Sequence, residues 1–325
     1  MHCFKARLIA GFLLLCAVLL AGCGTLAPQS AALRDNRPPG LPLGAEISRV
    51  PYFAQTEYHC GPAALAMVLN SAQIRVTPQE LVNQVYLPGR KGSLQVEMLA
   101  AARRNGLVAY VLEPRMGDVL LEVAAGTPVV ALENYGVPYY PLWHYSVVIG
   151  FDLARAQITR HSGTLERTVT PISIFEYFWR PEGRWAMVAV PPDRIPETAT
   201  EARFASAVIA LEKTGQNRAA AIAYESMLKR WPNSLAALMG LGNTSHVLGN
   251  LAQAEAAFRR ASTTHTDSTA AFNNLAQTLL DRGKLEEAYA TASHAVRLGG
   301  ALGPQAEATL AEIRRKRTAV QPGAR

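Results

Sequence analysis

The chain has 325 residues, of which 49% are hydrophobic and 18% are charged, and its formal net charge at pH 7 is +7. This length predicts about two domains, and this apolar fraction is sufficient for ordinary globular cores. The basic residues form no dense block with interleaved aromatic side chains, so the composition gives no support for nucleic-acid binding.

The first 22 residues are typical of an export signal. Lys5 and Arg7 precede an apolar run, residues 8–20, that is too short to span the roughly 30 Å hydrocarbon core of a bilayer as a helix. The run ends in Leu20-Ala21-Gly22-Cys23, which resembles the bacterial lipobox. The resemblance implies a signal peptide over 1–22 and a lipidated Cys23 that holds the chain on a membrane. The alternatives are an ordinary signal peptide or an anchor helix with a chance cysteine.

The residue that follows Cys23 bears on localisation. It is Gly24, and no Asp stands there to indicate retention in the inner membrane. By the lipoprotein rule this implies a lipid-anchored protein of the bacterial cell envelope, at the periplasmic face of the outer membrane.

Two Pro-rich stretches divide the rest of the chain. Residues 23–46 include Arg37-Pro38-Pro39-Gly40 and lack a sustained period, so they are predicted to be a lipidated tether. A second break runs from Pro191 to Pro196. The predicted organisation is therefore a mixed domain over 47–192, a linker over 193–201 and a helical region over 202–318.

Residues 47–192 carry both helical and strand patterns. Helix starts are predicted at Cys60, at Thr77 with a capping box, after Ser93, and at Ser173 with a second capping box. Strands are predicted over 108–113, 128–133, 145–151, 157–160 and 185–190. Since helices come first and an antiparallel sheet follows, we expect an α+β domain with a cleft between its two layers.

The C-terminal part repeats with a period of 34 residues, which aligns Gly215 with Gly249 and Gly283. Small residues at fixed positions let paired helices approach closely, and the recurring Gly lies in the turn between them. The pattern resembles tetratricopeptide repeats and predicts an all-α repeat domain; the alternative is a generic helical bundle. Such repeats expose a concave groove, which implies a protein partner.

Cys60 is the residue that points to chemistry, because the other three of the four cysteines lie in the first 23 residues. At a helix start, unpaired N–H groups and the positive end of the macrodipole favour a thiolate. A nucleophilic thiol also needs a base, and His144, at the start of an apolar strand, is the candidate. The alternatives are a Cys60 that is only a small buried residue and a structural His144.

Gln55, the run Cys60-Gly61-Pro62-Ala63-Ala64 and the strand His144 to Asp152 together resemble the C39-like cysteine peptidases, which have a papain-like fold. The resemblance covers about residues 50–190. It implies that Cys60 is the nucleophile, His144 the general base and the Gln55 side-chain amide an oxyanion donor, with no cofactor and no metal. The reaction would be hydrolysis of a peptide or protein substrate through a thioester. With the anchor and the repeats, the chain is similar to a lipoprotein branch of that family.

The third catalytic residue is where the sequence departs from this family, which orients the His with an Asp on the following strand. The corresponding stretch, 158–163, contains no carboxylate, and Asp152 lies about 26 Å from His144 along an extended strand. A hairpin at 153–156 would instead bring His161, Ser162 or a backbone carbonyl opposite His144. Two other functions stay open: a catalytically degenerate binding scaffold, and acyl transfer to an amine.

Overall fold

The structure, a computed structural model, describes residues 27–55, 58–137 and 139–320. The predicted signal peptide and Cys23 lie outside the described residues. The chain divides into two compact units: one holds the residues up to Ala102, Tyr110–Ala189 and Pro196–Thr198, and the other holds Arg103–Ala109, Val190–Ile195 and the residues from Ala199. Over the described part of the chain, no helix combines the length and the apolar character needed to cross a bilayer.

Over the described residues between 27 and 190 the chain is α+β, as predicted. Its helices are α1 (Pro28–Asp35), α2 (Cys60–Ser71), α3 (Pro78–Val85), α4 (Gln95–Arg104), α5 (Met116–Ala124) and α6 (Ile172–Trp179). Its strands are β1 (Gly44–Glu46), β2 (Tyr86–Leu87), β3 (Gly92–Ser93), β4 (Val108–Val111), β5 (Val129–Asn134), β6 (Trp143–Asp152), β7 (Gln157–Ser162), β8 (Leu165–Pro171) and β9 (Ala186–Val190).

One large sheet has the strand order β4-β9-β5-β6-β7-β8, and β1 also pairs with β6. Strand β6 pairs antiparallel with both β5 and β7. All five strands predicted from the sequence are present. The short strands β1, β2 and β3 were not predicted, and neither was β8. This strand is exposed along most of its length, so it lacks the alternating apolar pattern that marks a half-buried strand.

The two predicted capping boxes have different outcomes. At Thr77 the box is confirmed, because the hydroxyl of Thr77 accepts from the N–H of Glu80 and the Glu80 carboxylate accepts from the N–H of Thr77. The box at Ser173 is wrong, since α6 begins at Ile172 with no side-chain cap. The Glu176 carboxylate that should have completed this box is used elsewhere in the fold.

The tether predicted over 23–46 is wrong for residues 28–46, which are ordered parts of the first unit. The N–H groups of Gln29 and Ser30, at the start of α1, donate to the Glu176 carboxylate at 3.0 and 2.7 Å. Strand β1 pairs antiparallel with Gly150–Asp152 at the end of β6. Both elements are stabilised by distant residues, which local sequence patterns do not reveal.

Helix α2 lies in the core of the first unit. Its residues from Gly61 to Leu69 are all buried, and it packs against β6. A helix that is apolar all round is typical of a core element. The first residue of α2 is Cys60, so the predicted helix start at this cysteine is confirmed.

From residue 201 to residue 320 the second unit is all-α, as predicted. Its helices are α7 (Glu201–Glu212), α8 (Asn217–Arg230), α9 (Leu235–Val247), α10 (Leu251–Thr264), α11 (Thr269–Asp281), α12 (Leu285–Leu298) and α13 (Gly303–Val320). The aligned Gly215, Gly249 and Gly283 lie between paired helices with φ of +81°, +77° and +73°, a conformation that favours glycine. A Cβ on Gly240 would lie 2.1 Å from the ring of Tyr224, so small residues allow the helices to approach closely.

Candidate active site

The thiol of Cys60 is half-buried at the N-terminus of α2. Burial raises the pKa of this thiol, and hydrogen bonds from the backbone groups of Tyr145, Gly61 and Cys60 itself offset part of that rise. The helix start therefore supplies the N–H groups predicted from the sequence, but they do not outweigh desolvation. The resting side chain is a protonated thiol at neutral pH.

The residue after Cys60 must be small. A Cβ added to Gly61 would lie 2.3 Å from Oγ and 2.6 Å from Cβ of Ser93 in β3. Real Cβ atoms do not approach other atoms so closely, so the start of α2 rests directly on this short strand. This packing fixes the position of the helix start that carries Cys60.

The peptide groups of Tyr145 bring Cys60 and Gln55 to the same point of β6. Tyr145 lies opposite Leu132 of β5, but the Leu132 N–H donates to the carbonyl of Trp185 at 3.2 Å, on the side away from β6. Leu132 and Tyr145 therefore form a pair without hydrogen bonds between them, and in such a pair the peptide groups of Tyr145 point away from β5. The Tyr145 amide bonds the Cys60 sulfur, and its carbonyl accepts from Gln55 Nε2 at 3.1 Å.

Gln55 is held through both its side chain and its backbone. The side-chain oxygen Oε1 accepts from the Gly163 N–H at 2.8 Å, and the backbone N–H of Gln55 donates to the Gly163 carbonyl at 3.0 Å. A primary amide has two N–H groups on nitrogen, and the Tyr145 carbonyl takes one of them. The side chain is thus a buried, oriented donor that bonds to the same residue, Tyr145, as the Cys60 sulfur.

His144, which directly precedes Tyr145, is held by its Nε2 atom. This nitrogen lies 2.9 Å from Ser162 Oγ, and the ring stacks on Tyr135 with 5.2 Å between the ring centroids. Burial lowers the pKa of His144 to about 4, and the positive charge of Arg160 adds to this effect. The imidazole is therefore neutral at neutral pH, and with Nε2 occupied Nδ1 is the nitrogen that remains for a thiol proton.

Of the alternatives left open for the partner of His144, the structure places Ser162 in contact with it. His161 faces elsewhere, because its two ring nitrogens contact the carbonyls of Glu166 and Val50. Asp152 lies at the far end of β6, where its carboxylate accepts from the Arg155 N–H. The register of β6 and β7 shifts between Val148 and Gly150, and no local sequence pattern showed this bulge.

Three residues beside His144 were missed by the sequence analysis. Glu133 lies directly opposite His144 on β5, fully buried, and forms an ion pair with Arg160 of β7. The hydroxyl of Tyr135 contacts both of these side chains. A glutamate at the end of a predicted apolar strand was the available signal, since buried carboxylates are rare unless they are paired.

The fold and this geometry define a peptidase-like α+β domain followed by helical repeats, and comparison with known families agrees. Residues 47–187 match the Peptidase_C39 like family. Residues 206–266 and 247–307 match the tetratricopeptide repeat. The chain therefore contains a Peptidase_C39-like domain followed by tetratricopeptide repeats, as its sequence motifs predicted.

Three of the solved structures that match the chain share at most 18% sequence identity with it. The chaperone SycD of Yersinia enterocolitica, in complex with a peptide of the translocator YopD, is 17% identical over 37% of this chain and 98% of its own, with a TM-score of 0.35. The TPR2B domain of yeast Sti1, in a complex with pHsp70, is 15% identical over 36% of this chain and 99% of its own, also with a TM-score of 0.35. PcrH of Pseudomonas aeruginosa is 18% identical over 35% of this chain and 91% of its own, with a TM-score of 0.34. No curated protein gives a significant match.

Proposed function

We propose that this protein is a cysteine peptidase, tethered to a membrane by lipid on Cys23, that hydrolyses peptide bonds through a thioester on Cys60. One observation carries the proposal: Cys60 and Gln55 both hydrogen-bond to the peptide groups of Tyr145, and the residue directly before Tyr145 on β6 is His144. A nucleophile, a base and an oxyanion donor are the groups that acyl transfer requires.

The charge states at the site indicate how the reaction would begin. Because burial raises the pKa of Cys60 and lowers that of His144, the resting pair is a neutral thiol and a neutral imidazole. As sulfur attacks the substrate carbonyl carbon, the thiol proton moves to Nδ1 of His144. The negative charge that develops on the carbonyl oxygen is stabilised by the second N–H of the Gln55 amide and by the N–H of Cys60.

The same groups complete the cycle. The imidazolium of His144 gives its proton to the leaving amine as the C–N bond breaks, which leaves an acyl group on Cys60 as a thioester. His144 then accepts a proton from water, whose oxygen attacks the thioester carbon. The C–S bond breaks, and the thiolate regains its proton from His144.

The remaining parts of the chain would position this domain and its substrate. Acyl chains on Cys23 would hold it at the periplasmic face of the outer membrane, a proposal that rests on the lipobox motif. Tetratricopeptide repeats form extended concave surfaces, which supports a protein partner or substrate bound by the second unit.

Alkylation of Cys60 in the full chain tests the proposal. The full chain in detergent is treated with iodoacetamide, and the Cys60 peptide is quantified by mass spectrometry. We expect His144→Ala to slow alkylation at least tenfold, whereas His246→Ala in the repeats should leave it unchanged. Cleavage is then sought by comparing the N-termini of envelope proteins from cells with and without Cys60→Ala. Equal alkylation of wild type and His144→Ala, with identical N-termini, would favour a catalytically degenerate binding scaffold.

A further inference from the structure

A continuous line of polar side chains runs from His144 to a buried carboxylate. His144 Nε2 contacts Ser162 Oγ, and the Ser162 hydroxyl hydrogen-bonds to the hydroxyl of Tyr135. The Tyr135 hydroxyl lies 3.3 Å from Oε2 of Glu133. Glu133 is fully buried and is held in place by Arg160 and by the hydroxyl of Ser146.

The donors and acceptors in this line fix the direction of each of its hydrogen bonds. Arg160 can only donate, so the Tyr135 oxygen accepts from Arg160 Nη1 at 2.9 Å. The Tyr135 hydroxyl donates its single proton to Oε2 of Glu133, a carboxylate that can only accept. Because that proton is committed, the Ser162 hydroxyl is the donor in its hydrogen bond to the Tyr135 oxygen. Because the single Ser162 proton is committed to Tyr135, the Ser162 oxygen accepts from an N–H on Nε2 of His144.

We propose that Glu133, acting through the hydroxyls of Tyr135 and Ser162, holds His144 in the tautomer that carries its proton on Nε2. This relay rests on the proposed function and supplies the orienting partner that the third catalytic position lacks. Glu133, Tyr135 and Ser162 are positioning residues, because none of them lies at the reacting atoms. The relay leaves the lone pair of Nδ1 available for the Cys60 proton.

The relay differs in charge from a direct carboxylate partner. Arg160 pairs with Glu133, so the carboxylate end of the relay carries little net charge. A neutral serine, rather than an anion, contacts the imidazole. The relay therefore fixes the orientation and the tautomer of His144 without stabilising the imidazolium by charge, which agrees with an imidazole that stays neutral at neutral pH.

The test uses substitutions that remove one hydroxyl each. In the full chain, Tyr135→Phe keeps the ring that stacks on His144, and Ser162→Ala shortens the side chain that contacts Nε2. We expect each to slow alkylation of Cys60 by iodoacetamide about tenfold, the effect of losing one hydrogen bond. The double variant should be no more than about twofold slower than the slower single variant, because both changes break the same relay. Ser162→Thr keeps a hydroxyl and should retain the wild-type rate within about threefold.

A matched control lies in the repeats. The hydroxyl of Tyr224 donates to the Glu212 carboxylate at 2.7 Å, so Tyr224→Phe removes a bond of the same kind far along the chain. This variant should react at the wild-type rate. As a second measurement, nitrogen-15 spectra of the histidines should show His144 protonated at Nε2 in wild type and a mixture of tautomers in Tyr135→Phe.

The outcomes separate the relay from the proposed function. If His144→Ala slows alkylation but Tyr135→Phe and Ser162→Ala react like wild type, the relay is wrong and the peptidase proposal stands. Independent, additive losses in the double variant would also overturn the relay. If His144→Ala reacts like wild type, the proposed function fails, and the His144 tautomer in Tyr135→Phe then decides the relay alone: an unchanged spectrum rejects it.

Discussion

Replacing Gly61 with alanine tests whether the start of α2 positions the nucleophile. The added Cβ would lie 2.3 Å from Ser93 Oγ, whereas ordinary contacts begin at 3.4 Å, so the helix start or β3 must move by about 1 Å. Overpacking of this kind costs about 1–3 kcal/mol, and the better helix propensity of alanine returns at most about 1 kcal/mol. We therefore expect Gly61→Ala to lower the free energy of unfolding by about 1–2 kcal/mol.

The same displacement should slow the reaction of the Cys60 thiol, because Cys60 is the residue next to Gly61. A shift of about 1 Å between sulfur and the Tyr145 amide should slow Cys60 alkylation ten- to a hundredfold. Stability is measured by guanidinium unfolding with tryptophan fluorescence, since three of the four tryptophans precede residue 190. Alkylation is measured by mass spectrometry of the Cys60 peptide.

Two further variants decide whether the clash is the cause. Gly92→Ala is the matched control, because its added Cβ would meet only the carbonyl oxygen of Arg90, at 3.8 Å, and should change neither measurement. Ser93→Gly removes both clashing atoms, so in combination with Gly61→Ala it should restore the alkylation rate. The reasoning is refuted if Gly61→Ala unfolds and reacts like wild type.

Three other predictions follow from single side chains. The pKa of His144 is about 4 in the folded protein and 6.5 when the side chain is exposed, so its contribution to stability is present above pH 6.5 and is lost as the pH falls toward 4. His144→Gln should therefore reduce the change in unfolding midpoint between pH 7 and pH 4.5, and parallel pH profiles of the variant and wild type would contradict this. Glu255→Gln should lower the free energy of unfolding of the repeats by about 1–3 kcal/mol at pH 7, because this buried carboxylate pairs with Arg282 and Lys284. The measurement is urea unfolding, and an unchanged midpoint would contradict the prediction. Cys23→Ser should move the protein from the membrane to the soluble fraction on cell fractionation, and unchanged retention would reject the lipid anchor.

Much of the fold could be predicted from the sequence because the signals are local. The capping box at Thr77, the apolar run after Cys60 and the repeated Gly215, Gly249 and Gly283 each act within one or two turns of chain. The same is true of the motifs at Cys60 and His144, from which the family resemblance was drawn. Local hydrogen bonding and periodicity determine such features, so a single sequence is enough to identify them.

Tertiary structure alone decided how the site is completed. Ser162, rather than His161, reaches His144 because a bulge shifts the register of β6 against β7. Glu176 caps α1 instead of its own helix, which orders residues expected to form a tether. These contacts join residues that are 18 to 147 positions apart, and the partner of a buried polar group is determined by which strands and helices meet, not by the residues beside it in the chain.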